Sequence, residues 1–156
     1  MLTDDDRERL IRGAIQAKEH AYAPYSHFRV GAALLCVDGS IVGGANIENA
    51  SYGGTICAER TAIVKAVSEG KTQFVALAVT TDVPSPISPC GICRQAIREF
   101  CALDMPIFLV PSDYPQSKGD AENPVEDGGI LSVTLDVLLP YSFGPEDLEV
   151  PRPGAA

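Results

Sequence analysis

The residues able to do chemistry in this chain lie in two short stretches. One is Thr55-Ile56-Cys57-Ala58-Glu59-Arg60, the other Ser88-Pro89-Cys90-Gly91-Ile92-Cys93-Arg94. Cys57, Cys90 and Cys93 offer three thiolates to one metal ion. A tetrahedral zinc with three protein ligands keeps its fourth position for water, which is the pattern of a catalytic rather than a structural site. The ion lowers the pKa of that water to about 7, so hydroxide is available at neutral pH. Glu59, two residues from Cys57, is placed to move the proton. Together these residues outline a hydrolytic centre.

Plainer readings compete with this one. A lone Cys-x-x-Cys also suits a redox pair or half of a structural zinc ribbon. A ribbon needs a fourth ligand, and the remaining cysteines are Cys36, inside an apolar strand, and Cys101, at a helix end. Both read as small buried hydrophobes. A redox pair leaves Cys57-Ala58-Glu59 without a purpose, so the two clusters together favour catalytic zinc. His20 and His27 form no ligand-spaced pair and read as surface or packing residues. On pattern alone Phe28 and Phe143 are core aromatics and Glu48 a solvated charge.

Composition narrows the partners. A chain of 156 residues fits one domain and buries roughly 70% of its unfolded surface; we expect that domain over 1–150, with a disordered tail at 151–156. The formal net charge of −9 argues against gripping a phosphate backbone, which takes clustered Lys and Arg. It favours a small uncharged substrate and no nucleic acid. No apolar run approaches the ~20 residues of a membrane span, and the acidic start, Met1-Leu2-Thr3-Asp4, lacks the basic and apolar regions of a signal peptide. Five cysteines, an odd number without secretory context, read as reduced thiols or metal ligands. The expected location is the cytoplasm.

Positioning the cysteines requires a scaffold. Thr3 caps a first helix, with Asp4, Asp5 and Asp6 at the positive end of its dipole. Leu10, Ile11, Ala14, Ile15 and Ala21 or Tyr22 form its buried stripe, and Ala23-Pro24 ends it. Gly31 to Val37, the Asp38-Gly39 turn and Ile41 to Asn46 read as an antiparallel hairpin. A helix resumes at Cys57 and stops at Gly70. Phe74 to Val79, almost continuously apolar, reads as a strand covered on both faces. Proline-rich Asp82 to Pro89 excludes regular structure, and a third helix runs from Cys90 to about Ala102. Pro106 to Val110 is the next strand, paired in parallel through the helical crossover. Pro111 to Gly129 is polar and aperiodic and reads as an exposed loop or insertion. Ile130 to Val133 is a last strand, and Thr134 caps a short helical turn over Leu135 to Leu139.

Both cysteine clusters therefore fall where a loop runs into a helix. Unpaired backbone N–H groups and the helix dipole favour thiolate there. Three thiolates and Zn²⁺ sum to one negative charge, which works against acidifying water. The two helix starts and Arg60 offset part of it, giving Arg60 the role of supporting the zinc thiolates electrostatically.

These residues resemble the zinc-dependent cytidine deaminases of the small, homotetrameric type. The resemblance runs over almost the whole chain, through Tyr25-Ser26-His27-Phe28-Arg29-Val30-Gly31-Ala32-Ala33, Asn46-Ile47-Glu48-Asn49-Ala50-Ser51-Tyr52, Cys57-Ala58-Glu59-Arg60, Ser88-Pro89-Cys90-Gly91-Ile92-Cys93-Arg94-Gln95 and Leu138 to Leu148. A ligand-x-Glu followed by Pro-Cys-x-x-Cys is the deaminase signature. Cysteine as first ligand is similar to the nucleoside enzymes and unlike the polynucleotide and deoxycytidylate deaminases.

The resemblance implies an α/β fold, a three-layer α/β/α sandwich on a mixed five-stranded sheet, with one Zn²⁺ per subunit on Cys57, Cys90 and Cys93. It implies hydrolysis of cytidine and deoxycytidine to uridine and deoxyuridine plus ammonia, in pyrimidine salvage. Glu59 takes a proton from the metal-bound water, the hydroxide attacks C4, and Glu59 protonates N3 and then the departing amino group. The Ala58 N–H holds the base carbonyl and the Ser88 carbonyl accepts from the amino group. Asn46 and Glu48 bind the ribose, and Phe28 packs on the nucleoside. Tyr52 and Phe143 arrive from neighbouring subunits of a homotetramer with shared sites. Pro111 to Gly129 is longer than the usual connection, and Gly53-Gly54-Thr55 replaces the Pro-Leu-Gly type sequence of some members. The nearest rival is a deaminase of a cytosine nucleoside antibiotic of the blasticidin type; from another class, a non-catalytic zinc-stabilised binding module.

Overall fold

Thr3 starts the fold as its sequence context predicts: its Oγ1 accepts from the Asp6 N–H at 3.1 Å and caps α1, Asp4–Lys18. The computed structural model describes residues 2–117 and 126–151. The hairpin follows as β1, Gly31–Cys36, and β2, Ile41–Ala45. Then come α2, Ala58–Ser68, β3, Phe74–Thr80, and α3, Gly91–Phe100. The chain continues with β4, Pro106–Val110, β5, Leu131–Thr134, and two one-turn helices, α4, Leu135–Leu138, and α5, Pro145–Leu148.

The strands form one mixed sheet in the order β2-β1-β3-β4-β5. Only β3 and β4 pair in parallel, Leu77 opposite Ile107 and Thr80 opposite Val110; the other neighbours are antiparallel. Period-two alternation of β1 divides the core in two. Ala32, Leu34 and Cys36 face Ala62, Ile63, Ala66 and Ile97 of α2 and α3. Ala33 and Leu35 face Leu10, Ile11 and Ala14 of α1. Two helices on one face and one on the other make the expected three-layer α/β/α sandwich. Burial on both faces is why β1 and β3 read as near-continuous apolar runs. Cys36 and Cys101 are buried in the α2–α3 layer, where desolvation pushes the Cys101 thiol up to about 12.

Four details depart from expectation. Helix α1 ends at Lys18 rather than at Ala23-Pro24, because Tyr22 is drawn into an isolated bridge with Ile47; its N–H reaches Asn46 O at 2.9 Å and its carbonyl receives the Glu48 N–H at 2.8 Å. Tyr22 is therefore exposed, and Lys18 fills the last place of the stripe, its Nζ on Thr81 O at 2.8 Å. The segment from Pro111 is no free loop at its described ends. Pro111 is fully buried, Tyr114 packs on the α1-side core and donates to Glu8 at 3.0 Å, and Arg7 pairs with Asp127. Thr134 occupies the α4 N-cap position without capping a backbone N–H of the helix, its hydroxyl donating to the Asp136 carboxylate instead. Helix α5 was signalled by Pro145 at its first position and by Glu146 and Asp147 in its first turn. The middle of the insertion and all but Pro151 of the 151–156 tail lie outside the described residues.

Candidate active site

The start of α2 and the start of α3 meet at the three cysteines. Cys57 is the N-cap of α2, Cys90 the N-cap of α3, and Cys93 sits in the first turn of α3. Neither N-cap side chain caps a backbone N–H of its own helix, so the positive ends of both dipoles face the sulfurs. The three Sγ atoms lie within 4.8 Å of one another, and Cys57 Sγ stands 3.9 Å from Cys90 Sγ. Two thiolates on one tetrahedral zinc, each at about 2.3 Å, are about 3.8 Å apart. The spacing thus fits one zinc ion without rearrangement. Among the described residues this is the one group of three such side chains gathered closely enough to hold a metal.

Glu59 follows Cys57 by two residues in the first turn of α2, and its carboxyl is carried inward. It is 4% exposed, with Oε2 at 3.6 Å from Cys93 Sγ. Burial raises its pKa, and the Cys57 charge adds to the effect. A carboxyl held in a proton-accepting range by desolvation is suited to act as base and then acid. The Cys57 thiol is lowered to about 5, chiefly by a hydrogen bond from Cys93, with further help from Arg60. Cys93 moves the opposite way because of that same bond and its own burial. Arg60 lies beside the cluster, its Nη2 donating to Cys57 Sγ at 3.7 Å and to Thr55 O at 3.4 Å.

A cavity of about 260 Å³ is lined by Tyr25, Ser26, Glu48, Tyr52 and Thr55, the last of these lying two residues before Cys57. Glu48 accepts from the Tyr25 N–H at 2.9 Å, the Ser26 N–H at 3.2 Å and the Ser26 hydroxyl. The Ser26 hydroxyl bond is the first cause that lowers the Glu48 pKa. Asn46, 8% exposed, gives Nδ2 to Phe28 O at 2.9 Å and accepts the Val30 N–H on Oδ1 at 2.8 Å. Asn46 and Glu48 therefore hold the segment that presents Phe28, which is half-buried. Ala58 is the first residue of α2 and fully buried; its N–H lies outside the helical ladder. The Ser88 side chain accepts from Arg94 at 2.7 Å.

Tyr52 and Phe143 are not gathered into the centre in the same way. Tyr52 stacks at an angle on Tyr25, ring centroids 5.9 Å apart, yet is 75% exposed. Phe143 is 63% exposed, and its carbonyl receives Gln95 Nε2 at 3.2 Å. His20 and His27 are exposed and stand outside the cysteine group. His27 has φ 53°, marking a sharp turn in the loop that Glu48 holds.

Two positioning groups escaped the sequence reading. Ser26 bridges Glu48 and the Phe28 N–H, the latter at 3.1 Å. Arg94 binds three groups on two segments. Each stands inside a quoted motif, but neither residue type at that spacing signals a role without its folded partners. A separate cleft of about 480 Å³ includes Arg9, Arg12, His20 and Lys65 in its wall; none of the expected site residues lines it.

Comparison with known proteins agrees with this geometry. The model of the cytidine and deoxycytidylate deaminase zinc-binding region matches residues 4–109. A cytidine deaminase of Halalkalibacterium halodurans is 50% identical over 143 residues, covering 92% of this chain and 98% of that protein. The Sporosarcina psychrophila cytidine deaminase is also 50% identical over 143 residues, covering 92% and 95%. Among solved structures, the cytidine deaminase of Burkholderia pseudomallei aligns with a TM-score of 0.74 at 39% identity, covering 87% of this chain and 98% of that one.

Proposed function

We propose that this chain, which belongs to the cytidine and deoxycytidylate deaminase family, converts cytidine and deoxycytidine to uridine and deoxyuridine with release of ammonia, as a step of pyrimidine salvage. The observation that carries the reading is the buried Glu59 carboxyl beside a three-sulfur group of zinc spacing. Cys57, Cys90 and Cys93 would hold one zinc ion, which supplies a water acidic enough to serve as nucleophile at neutral pH.

The chain's own residues do the rest. Glu59 accepts one proton from the attacking water and delivers it to N3 of the ring as oxygen bonds to C4. It carries the second to the amino group, which leaves as ammonia while C4 becomes the carbonyl of uridine. Its raised pKa supports both directions of transfer. The Ala58 N–H is free of the helical ladder to meet the base carbonyl. Ser88 O accepts no hydrogen bond among the described residues and takes the amino group. Asn46 keeps one Nδ2 hydrogen beyond its bond to Phe28 O, and Glu48 stands on the cavity wall; the pair reads the ribose hydroxyls. Phe28 packs on the nucleoside.

Tyr52 and Phe143 complete the pockets of neighbouring subunits in a homotetramer. The supporting observation is their exposure, shared by Val64 at 52% and Ile92 at 67%, with a cavity of about 630 Å³ between α2 and α3. Residues 1–150 work as one deaminase domain, in the cytoplasm. None of the described helices is long and apolar enough to cross a membrane. Cytidine is favoured over an antibiotic of the blasticidin type because the relatives compared are named cytidine deaminases. The test is the ratio of ammonia release from cytidine, deoxycytidine and the antibiotic by the purified zinc protein. Faster turnover of the antibiotic would reverse the assignment.

A further inference from the structure

Arg94 is a half-buried cation with no carboxylate partner among the described residues. All its bonds go to neutral oxygens. Nε donates to Pro89 O at 2.7 Å, Nη1 to Leu138 O at 2.6 Å and Nη2 to Ser88 Oγ at 2.7 Å. A guanidinium presents its donors in a rigid fork, so three bonds at once fix their acceptors relative to one another. Two of these acceptors flank a single group, the Ser88 carbonyl. Its peptide bond leads into Pro89, which has no N–H to anchor that peptide in a backbone ladder. With the Ser88 side chain held on one side and the Pro89 carbonyl on the other, the Ser88 carbonyl loses its freedom to turn. The third bond ties this loop to the end of α4, and thus to the segment in which Gln95 and Arg98 hold Phe143 and Glu146.

We infer that Arg94 is a positioning residue that fixes the direction of the Ser88 carbonyl and so sets the preference for the amino substrate over the carbonyl product; this rests on the deaminase reading above. Cytidine presents a donor at C4, uridine an acceptor. A rigid carbonyl accepts from the first and repels the second, whereas a loose one turns away from the second at little cost. A site built to bond a donor discriminates strongly only while its acceptor stays in place.

The experiment compares the parent with Arg94→Gln and Arg94→Lys at equal zinc content, well below the melting temperature. It measures kcat and KM for cytidine and the inhibition constant of uridine. Arg94→Gln should narrow the ratio of uridine inhibition constant to cytidine KM by about tenfold, the worth of roughly one hydrogen bond to a charged donor, with Arg94→Lys between it and the parent. An unchanged ratio in a variant that only melts earlier would reduce Arg94 to a structural staple and overturn the inference. Should Arg94→Gln fail to fold, Ser88→Ala, which releases one side of the carbonyl, must narrow the same ratio; a folded Ser88→Ala protein with the parental ratio overturns it equally. Absence of cytidine turnover already in the parent removes the deaminase reading and this inference with it.

Discussion

Gly44→Ala is a severe test of how β2 supports the site. An added Cβ at Gly44 would stand 2.3 Å from Ala62 N, 2.6 Å from Ala58 O and 2.8 Å from Ala62 Cα. All three are backbone atoms of α2, so no side chain can rotate aside. Ordinary contact begins near 3.4 Å, and the helix must retreat from the strand by about 1 Å. Overpacking against backbone costs about 3 kcal/mol, which for a chain of this size lowers the melting temperature by about 6–12 °C. Activity should suffer more than stability, because the retreating turn carries Ala58 and Glu59 and is capped by Cys57. A misplacement near 1 Å reduces kcat/KM by on the order of 100-fold. Calorimetry and ammonia release, the latter well below both melting temperatures, measure the two effects. The control is Gly53→Ala, whose Cβ meets nothing within 4 Å. A Gly44→Ala protein with parental melting and parental turnover would refute the close approach of β2 to α2.

Three other outcomes follow from the same structure. Asp82 is depressed in pKa: burial opposes ionisation there, but bonds from Arg29 and the nearby Lys18 outweigh it. A depressed carboxylate stabilises above its unfolded pKa and ceases to do so as pH falls through the folded value. The melting-temperature gap between the parent and Asp82→Asn should therefore be full at about pH 7 and close below about pH 4; a gap independent of pH would contradict the ion-pair account. Ser26→Ala removes the bridge between Glu48 and the Phe28 N–H, and should raise the KM for cytidine about fivefold with little change in kcat, as steady-state kinetics will show. Chelating zinc should abolish turnover while far-UV circular dichroism persists, because both core layers are built from apolar side chains outside the cysteine group. Collapse to a coil spectrum would assign the ion to folding instead.

The strands and helices that position the site were legible because their periodicities are clean. Gly31 to Val37 read as the first arm of a hairpin and Phe74 to Val79 as a strand covered on both faces, close to the observed Gly31–Cys36 and Phe74–Thr80, and the helical patterns placed both cysteine stretches at helix starts. What stayed hidden depends on tertiary partners. Nothing local says that Lys18 will be buried on Thr81 O, or that Tyr22 will abandon α1 for a bridge to Ile47. The docking of Tyr114 on α1 was masked by the polar residues around it. At the site, cysteine and glutamate types announced their chemistry, whereas Ser26 and Arg94 act only through geometry. Asn46 shows both sides: its motif pointed to ribose, while its bonds to Phe28 O and the Val30 N–H become visible only in the fold.

The most direct measurement compares ammonia release from cytidine by the parent and by Glu59→Gln, each with its zinc content determined. The substitution keeps the size of a buried side chain and removes its ability to carry protons. The account predicts turnover by the parent and a fall of at least about 10³-fold in kcat for a variant with equal zinc. Parental turnover by the zinc-loaded variant would contradict Glu59 as the proton carrier, and no turnover by a zinc-loaded parent would contradict the assigned reaction itself.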